Sequence, residues 1–424
     1  MIGIIGAGLT GLATAYYLKK DYVLFEKEHK AGGHARTFNQ NGFLYDFGGH
    51  FLHLRKDWVK MLLFEELGLN FKSHSRDSRI FLHNVYGKYP FQNNLKNYPE
   101  EVIIECIEGL AKAKYCPFVG SIETFEDFIM ATMGTGIAKH FMIPYNTKLW
   151  SIPPSEMTTK WMGRFVPEPQ FQMALKNLIS DNSLNQGYNA EFYYPESGGI
   201  GTLCEAFSQR VKHIQYNSEV QLIDLENKVI EFSNGHCFKY SKLVSTIPLI
   251  ELVLRSREVP EEVREARKKL NWTNITIYNI AVKGFRLDYN WVYVPEDKFP
   301  FFRFGNYSKV APNRENPVIQ NLYIEFSGGK EFKSVPKIDE LLNYLKLMNA
   351  VEADAEIVDS LILPVKYAYI IYDKYREDSV KIITDFFKSK DIYSVGRYGN
   401  WEYSSMEDAI IEGKEIAEFL NSFK

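Results

Sequence analysis

Cysteine is scarce in this chain, with four residues in 424: Cys106, Cys116, Cys204 and Cys237. Their spacing matches no metal-ligand pattern, so no metal site and no disulfide framework is expected, and a reducing, cytoplasmic setting fits. Excess charge of one sign is lacking too. Fifty Lys and Arg against 53 Asp and Glu leave a formal net charge of −3, which gives no basic field for nucleic acid. No apolar run is long enough to span a bilayer. A β-type run begins at residue 2, so no signal peptide is expected. Internal repeats and low-complexity segments are absent. Aromatic residues, in contrast, are plentiful: 27 Tyr and 30 Phe supply flat surfaces for stacking, although most must serve as core. The length allows two or three domains.

The first two dozen residues organise the rest. Ile2-Gly3-Ile4-Ile5 leads into Gly6-Ala7-Gly8-Leu9-Thr10-Gly11, a helical stretch from Leu12 to Lys20, and a second strand, Tyr22 to Phe25, that ends in Glu26. This is the G-x-G-x-x-G dinucleotide fingerprint in strand–turn–helix context. Gly6 allows the tight turn, Gly8 lets backbone approach a pyrophosphate, and Gly11 lets helix pack close to strand. The helix N-terminus offers free N–H groups to phosphate, and Glu26 can accept from a ribose diol. Two more glycine pairs follow, in Ala31-Gly32-Gly33-His34-Ala35-Arg36-Thr37 and in Gly42-Phe43-Leu44-Tyr45-Asp46-Phe47-Gly48-Gly49-His50. NAD does not require them, whereas a cofactor lying extended across the domain does, and the start resembles that of the amine-oxidase-like FAD flavoproteins. FAD is therefore expected, with Gly33 and Gly49 against it and Arg36 meeting a phosphate or a surface carboxylate. A cysteinyl link to the flavin from the C-terminal region is excluded, since no cysteine follows Cys237.

Further along, Asp57 to Leu67 reads as an amphipathic helix and Ser78 to Val85 as a strand. The Lys88-Tyr89-Pro90-Phe91-Gln92-Asn93-Asn94 loop either stacks a planar base or is a turn with two core aromatics. Helical periods over Pro99 to Ala113 and Thr124 to His140 open a helical insertion, which carries Phe141 to Trp150, a stretch too aromatic and interrupted for a plain surface helix. Arg164 stands among apolar neighbours, where a guanidinium seeks an anion or a structural carboxylate. A glycine loop, 198–201, precedes a helix from about Thr202 to Arg210. Glu219 to Ile223 and Val229 to Phe232 form a hairpin, with Val220 where such flavoproteins touch adenine. Lys242 to Thr246 returns as a strand. Alternating residues from Asn274 to Val294 and Val318 to Phe326 indicate a second sheet. The chain closes with a strand ending in Gly396-Arg397, whose backbone N–H groups suit a flavin's pyrimidine oxygens, and a helix from about Ala409 to Leu420.

Five stretches resemble UDP-galactopyranose mutase, nearer its eukaryotic branch: Gly42 to His50, Tyr89 to Asn94, Phe141 to Trp150, Trp291 to Arg303 and Gly396 to Asp408. With the fingerprint they span nearly the whole chain. The resemblance implies that Tyr89, Phe91 and Gln92 hold uracil, while Asn146 and Trp150 line the nucleotide–sugar pocket. Arg164 and Arg303 would meet the diphosphate, with Tyr293, Tyr369 and Tyr403 hydrogen-bonded to it. His50 would lie beside the flavin ring, Arg397 near flavin and substrate, and Met406 and Gly396 at the cofactor. Arg76 and Ser78 match residues that contact the reducing nicotinamide. Two features depart from the family. Tyr369-Ile370-Ile371-Tyr372 lacks its proline, and the loop after His50 holds His53 and Arg55 but no second histidine at the eukaryotic spacing.

The implied activity is that of an isomerase, a FAD-dependent UDP-sugar mutase interconverting pyranose and furanose forms in cell-surface glycan biosynthesis. Reduced flavin, with NAD(P)H as reductant, acts through an N-5 sugar adduct without net redox. His50, Arg303 and Arg397 would be catalytic, and both His50 and Arg397 could stabilise the reduced, anionic ring. The substrate is UDP-galactopyranose or a close analogue, and a homo-oligomer is allowed. An amine oxidase or desaturase built on the same FAD domain is the alternative, and an idle nucleotide-sugar binder a third. The expected architecture is α/β. A discontinuous Rossmann-like FAD domain (1–75, 186–246 and 385–424) accompanies a helical domain (95–185) and an antiparallel or mixed sheet domain (76–94 and 247–384).

Overall fold

Ile2–Ile5 is apolar and buried along its whole length, as a strand flanked on both sides must be. It lies at the centre of a five-stranded parallel sheet in the order Ile392–Ser394, Lys242–Ser245, Ile2–Ile5, Tyr22–Phe25, Ile214–Gln215. Stretches far apart in sequence thus assemble one Rossmann-like unit. The computed structural model describes every residue except 117, 164, 181–189, 313–315 and 424. Helix Leu9–Tyr17 follows the first strand and packs against the C-terminal helix Met406–Ser422. A Cβ at Gly413 would come within 2.6 Å of the Thr10 carbonyl, so glycine sets that close approach. A capping box, Ser405 with Asp408, starts the C-terminal helix three residues before the expected Ala409.

The second sheet has seven strands, ordered Val351–Ile370, Trp272–Phe285, Ile319–Ser327, Arg303–Asn306, Trp291–Tyr293, Ser78–Leu82, Val85–Lys88. Only the Trp291–Tyr293 and Ser78–Leu82 pair runs parallel, so the sheet is mixed. The run expected from Asn274 to Val294 is two strands, and the run from Ser78 is a hairpin, its turn at His83 and Asn84 in left-handed conformation. The Asp57 helix widens after Met61 into a π-type turn, Leu62–Glu66. Helices Ile338–Leu347 and Arg376–Ser389 have no counterpart in the sequence reading.

Helices Glu100–Tyr115 and Phe125–Ile137 form the helical region, and Ile143–Trp150 joins it to the second sheet. The last carbonyls of a helix lack internal partners, and here the sheet supplies them. Ser327 Oγ donates to the Leu149 carbonyl at 2.7 Å, and the Thr273 hydroxyl donates to that of Trp150. Lys148 Nζ donates to the carbonyls of Val294 (3.0 Å) and Glu296 (2.8 Å), just beyond Tyr293. The helix bearing Asn146 and Trp150 is thereby fixed against the strands bearing Tyr293 and Glu325. Among the described residues, no helix is long and apolar enough to cross a membrane.

Candidate functional site

The glycine fingerprint has the geometry of a phosphate cradle. Gly6 has φ +94°, a conformation that glycine adopts without strain. A Cβ at Gly11 would collide with the Gly6 carbonyl, which forces glycine at the helix–turn contact. At Gly8 a Cβ would meet nothing within 4 Å, so this face of the loop is open to a ligand. Gly33 packs across from it, a Cβ there lying 3.4 Å from Gly8 Cα, and Gly32 N–H donates to Ala7 O at 2.8 Å. Glu26 is buried and its two carboxylate oxygens accept the N–H groups of Ala7 (2.7 Å) and Glu28 (3.0 Å), which holds it at the mouth of the cradle. Ser218 N–H donates to the Glu26 carbonyl and brings Val220 alongside. Arg36 Nε donates to Gly33 O at 2.8 Å, and its guanidinium lies over Phe38 and Phe47 on the rim of the cradle. These residues fit a dinucleotide of the FAD type.

The Gly48–Gly49 pair opens a second space. A Cβ at Gly48 would fall 2.5 Å from Glu325 Oε1, and one at Gly49 would fall 2.6 Å from the Tyr323 hydroxyl. Both groups therefore reach the backbone beside His50. Among the described residues, the Tyr323 hydroxyl and His50 Nδ1 are buried without a hydrogen-bond partner. Buried polar groups are rarely left so, and two orphans at this loop suit a polar ring edge such as a flavin's. Burial pushes the His50 imidazole down to about 4, opposed by the nearby Phe47 backbone and assisted by Arg397. His50 is thus neutral near pH 7, and its imidazole N–H can offer a hydrogen bond to an anionic ring.

Arg397 is held by its two terminal nitrogens, which donate to Ser404 O (2.7 Å) and Ala368 O (2.8 Å), and its guanidinium lies 4.8 Å from the Tyr403 ring centre. The backbone N–H of Gly396 differs from its expected use. It donates to Glu412 Oε2 at 2.7 Å, and Asn400 Nδ2 donates to the same oxygen at 2.8 Å. Burial and the neighbouring Glu402 raise the Glu412 carboxyl to about 9. The turn is fixed from within the protein, and this N–H is already engaged. Met406 begins the helix that follows.

Most of the residues expected to hold the substrate come together. Tyr89 and Tyr293 have ring centres 5.0 Å apart, Tyr293 and Tyr145 5.3 Å, Trp150 and Tyr369 5.4 Å, and Tyr369 and Tyr403 5.9 Å. The Arg76 guanidinium lies over Tyr89 at 4.8 Å, and buried Ser78 stands opposite Trp291 in the parallel strand pair. Asn146 and Trp150 are bonded to each other, indole N–H to Oδ1 at 3.3 Å, and Asn146 Nδ2 donates back to Met142 O at 2.7 Å. Phe91 stands apart. It is fully buried with its ring between Tyr98 and Phe141, each at 5.2 Å, which is core packing in the helical region. Gln92 Nε2 donates to Pro167 O at 2.7 Å. Arg164 lies outside the described residues.

Arg303 brings in a residue that sequence reasoning missed. Its guanidinium forms a two-pronged ion pair with Glu325, the second bond being 2.9 Å, and the Glu325 side chain is 3% exposed. Burial opposes the arginine's charge, but Glu325 beside it keeps Arg303 well above its ordinary value. The two residues face each other across antiparallel strands. Glu325 and Tyr323 belong to the polar side of Ile319–Ser327, which alternates Asn321, Tyr323, Glu325 and Ser327 with Leu322, Ile324 and Phe326. That alternation was the available signal, but it reads as a solvent face, whereas the face is buried.

His34 lies near His50. Its Nδ1 is 2.8 Å from the Tyr398 hydroxyl, and burial, with the charges of His50 and Arg36, pushes it down to about 3. An unfolded histidine takes up its proton near 6.5, and these two partly buried imidazoles do not. The unfolded state therefore binds more protons below pH 6.5, and stability falls as pH drops from there toward 4. His34→Gln is expected to flatten this decline. Thermal unfolding from pH 7 to 4 checks it, and an unchanged slope in the variant would contradict it.

A family model of the NAD(P)-binding Rossmann-like domain matches residues 4–81. Mitochondrial protoporphyrinogen oxidase of Nicotiana tabacum is 36% identical over 89 residues, 20% of this chain, so the similar stretch spans only 18% of that relative. Protoporphyrinogen oxidase of Dictyostelium discoideum is 21% identical over 414 residues, covering 78% of this chain and 74% of the relative. Among solved structures, putrescine oxidase superposes with TM-score 0.65 at 13% identity, covering 100% of this chain and 99% of that one, a likeness of fold. Reduced UDP-galactopyranose mutase superposes with TM-score 0.93 at 27% identity, over 99% of this chain and 95% of that one. The chain has a mixed α/β fold that contains a Rossmann-like domain, and it resembles UDP-galactopyranose mutase over nearly its entire length.

Proposed function

We propose that the protein interconverts the pyranose and furanose forms of a UDP-sugar, UDP-galactose or a close analogue, using FAD kept reduced by NAD(P)H. The supporting observation is one cluster. Arg303, Arg397, Tyr293, Tyr369, Tyr403 and Trp150 gather beside His50 in a chain whose backbone follows a reduced mutase. We assign the cofactor to residues 1–75, 186–246 and 385–424, and the substrate to 76–94 and 247–384 with the helical residues 95–185 closing over it.

When bound, reduced flavin supplies a nucleophile and an electron sink for the anomeric carbon. The protein's part is to manage the leaving group. As the bond between the anomeric carbon and the diphosphate oxygen breaks, Arg303, Arg397 and the tyrosine hydroxyls hold UDP in place. Charge-assisted bonds of this kind contribute about 1.5–3 kcal/mol each. UDP returns to the same carbon after the sugar has closed its ring on a different hydroxyl, so no electrons leave the protein. Arg397 supplies the positive charge beside the reduced ring, and neutral His50 supplies a hydrogen bond. Within this fold Glu325 holds the Arg303 fork in plane and leaves its outer edge for phosphate.

The test is turnover of a panel of UDP-sugars by dithionite-reduced protein. A furanose product from at least one UDP-hexose or UDP-pentose is expected. No turnover of any UDP-sugar, with hydrogen peroxide formed rapidly from an amine, would assign the chain to the oxidases instead.

A further inference from the structure

Tyr403 is held by a residue outside the cluster already described. Its backbone N–H donates to the Tyr372 hydroxyl at 2.9 Å. The preceding residue but one, Trp401, is fully buried and has φ +51°, a left-handed conformation uncommon for a tryptophan, so the chain turns sharply just before Tyr403. Arg376 secures that turn. Its Nε donates to Trp401 O at 2.8 Å and its Nη2 to Asn400 O at 3.3 Å, while its guanidinium lies 4.2 Å from the Tyr372 ring centre. Tyr372 is buried, and its own carbonyl accepts from Thr158 N–H at 2.7 Å, which fixes it to the helical region as well. Beyond this anchor, the Tyr403 ring meets Phe165 (4.6 Å), Tyr369 (5.9 Å) and Trp150 (6.0 Å), and Arg397 lies over it.

We propose that Tyr372 is a positioning residue for substrate binding: its hydroxyl, backed by Arg376, fixes Tyr403 and through it the Tyr369–Tyr403–Arg397 wall. The proposal rests on the assignment of Tyr403 to the UDP-sugar. The segment reads Tyr369-Ile370-Ile371-Tyr372, and of these side chains only the last carries a hydroxyl to the segment that holds Tyr403. Loss of that acceptor leaves a backbone N–H without its partner next to a half-buried ring. The wall loses its fixed position while its chemistry stays intact, so binding suffers more than the catalytic step.

The experiment compares Tyr372→Phe and Tyr403→Phe holoenzymes, both reduced, by UDP titration and by steady-state kinetics with UDP-galactose. For Tyr372→Phe, KM and the UDP dissociation constant should rise about three- to tenfold, as for one lost hydrogen bond, with kcat within about twofold and FAD content unchanged. Tyr403→Phe should weaken UDP binding too. If Tyr403→Phe binds UDP as the parent does, the assignment of Tyr403 is wrong. If Tyr403→Phe is weakened but Tyr372→Phe is not, or Tyr372→Phe only melts at lower temperature, the positioning role is wrong. Should Tyr372→Phe fail to give soluble holoenzyme, Arg376→Lys loosens the same turn and must show the same rise in KM. An unchanged KM there also overturns the proposal.

Discussion

Arg303→Ala leaves a protein that stays yellow but binds UDP about 10- to 100-fold more weakly, with turnover reduced to match. The residue pairs with Glu325 and lies near Tyr369 and Tyr323. The substitution also removes the partner of a carboxylate that is 3% exposed, and stranding one half of a buried pair costs about 3–5 kcal/mol. Weak UDP binding could then reflect a loosened site. The double variant Arg303→Ala/Glu325→Gln separates the two effects, because it removes the stranded charge. It should recover much of the lost thermal stability and none of the UDP affinity. A variant that loses flavin and keeps normal UDP binding would overturn the assignment of Arg303 to the diphosphate.

Gly11→Ala and Gly8→Ala should both yield colourless protein, for different reasons. At Gly11 the new methyl collides with the Gly6 carbonyl, a backbone atom that cannot step aside without breaking the turn. Overpacking of this kind costs about 1–3 kcal/mol, so the apoprotein melts lower and FAD affinity falls with it. At Gly8 the methyl meets nothing in the free chain. The apoprotein should therefore melt as the parent does, while FAD binding is lost because the methyl fills the approach to the pyrophosphate. Flavin content and apoprotein melting temperature, measured together, check the pair. A yellow Gly8→Ala protein would mean that the open face of this loop does not receive the cofactor.

Sequence carried local geometry well. The turn at Gly6, the contact at Gly11 and the carboxylate at Glu26 follow from spacing over a couple of dozen residues, because strand, turn and helix are neighbours in the chain. The grouping of the tyrosines came from the family resemblance and not from residue type alone: Tyr89, Tyr293, Tyr369 and Tyr403 stand within one cluster. What remained hidden depends on strand register. Nothing local tells that Glu325 lies opposite Arg303, and a polar face on Ile319–Ser327 looks solvent-exposed until the Gly48–Gly49 loop packs on Tyr323 and Glu325 and the Ile143–Trp150 helix reaches Ser327. The uneven tyrosines at 367, 369 and 372 have a similar cause. Tyr367 has φ +60° and the register against Trp272–Phe285 slips there, so the period-two pattern breaks within a continuous strand. Phe91 and Gln92 were assigned to a base by resemblance, yet the Phe91 ring lies in the core. The edge strand Val351–Ile370 went unseen in its first half because charges such as Glu352, Asp354 and Glu356 face solvent and guard an open edge.

The proposed reaction returns the electrons to the flavin when UDP reattaches. This predicts no activity with oxidised FAD, activity after reduction by dithionite or NAD(P)H, and many turnovers for each reducing equivalent without oxygen. The most direct measurement is stoichiometry under nitrogen, with NAD(P)H consumed set against furanose formed from UDP-galactose. Product in large excess over NAD(P)H is the predicted result. One-to-one consumption, or product from fully oxidised protein, would contradict it.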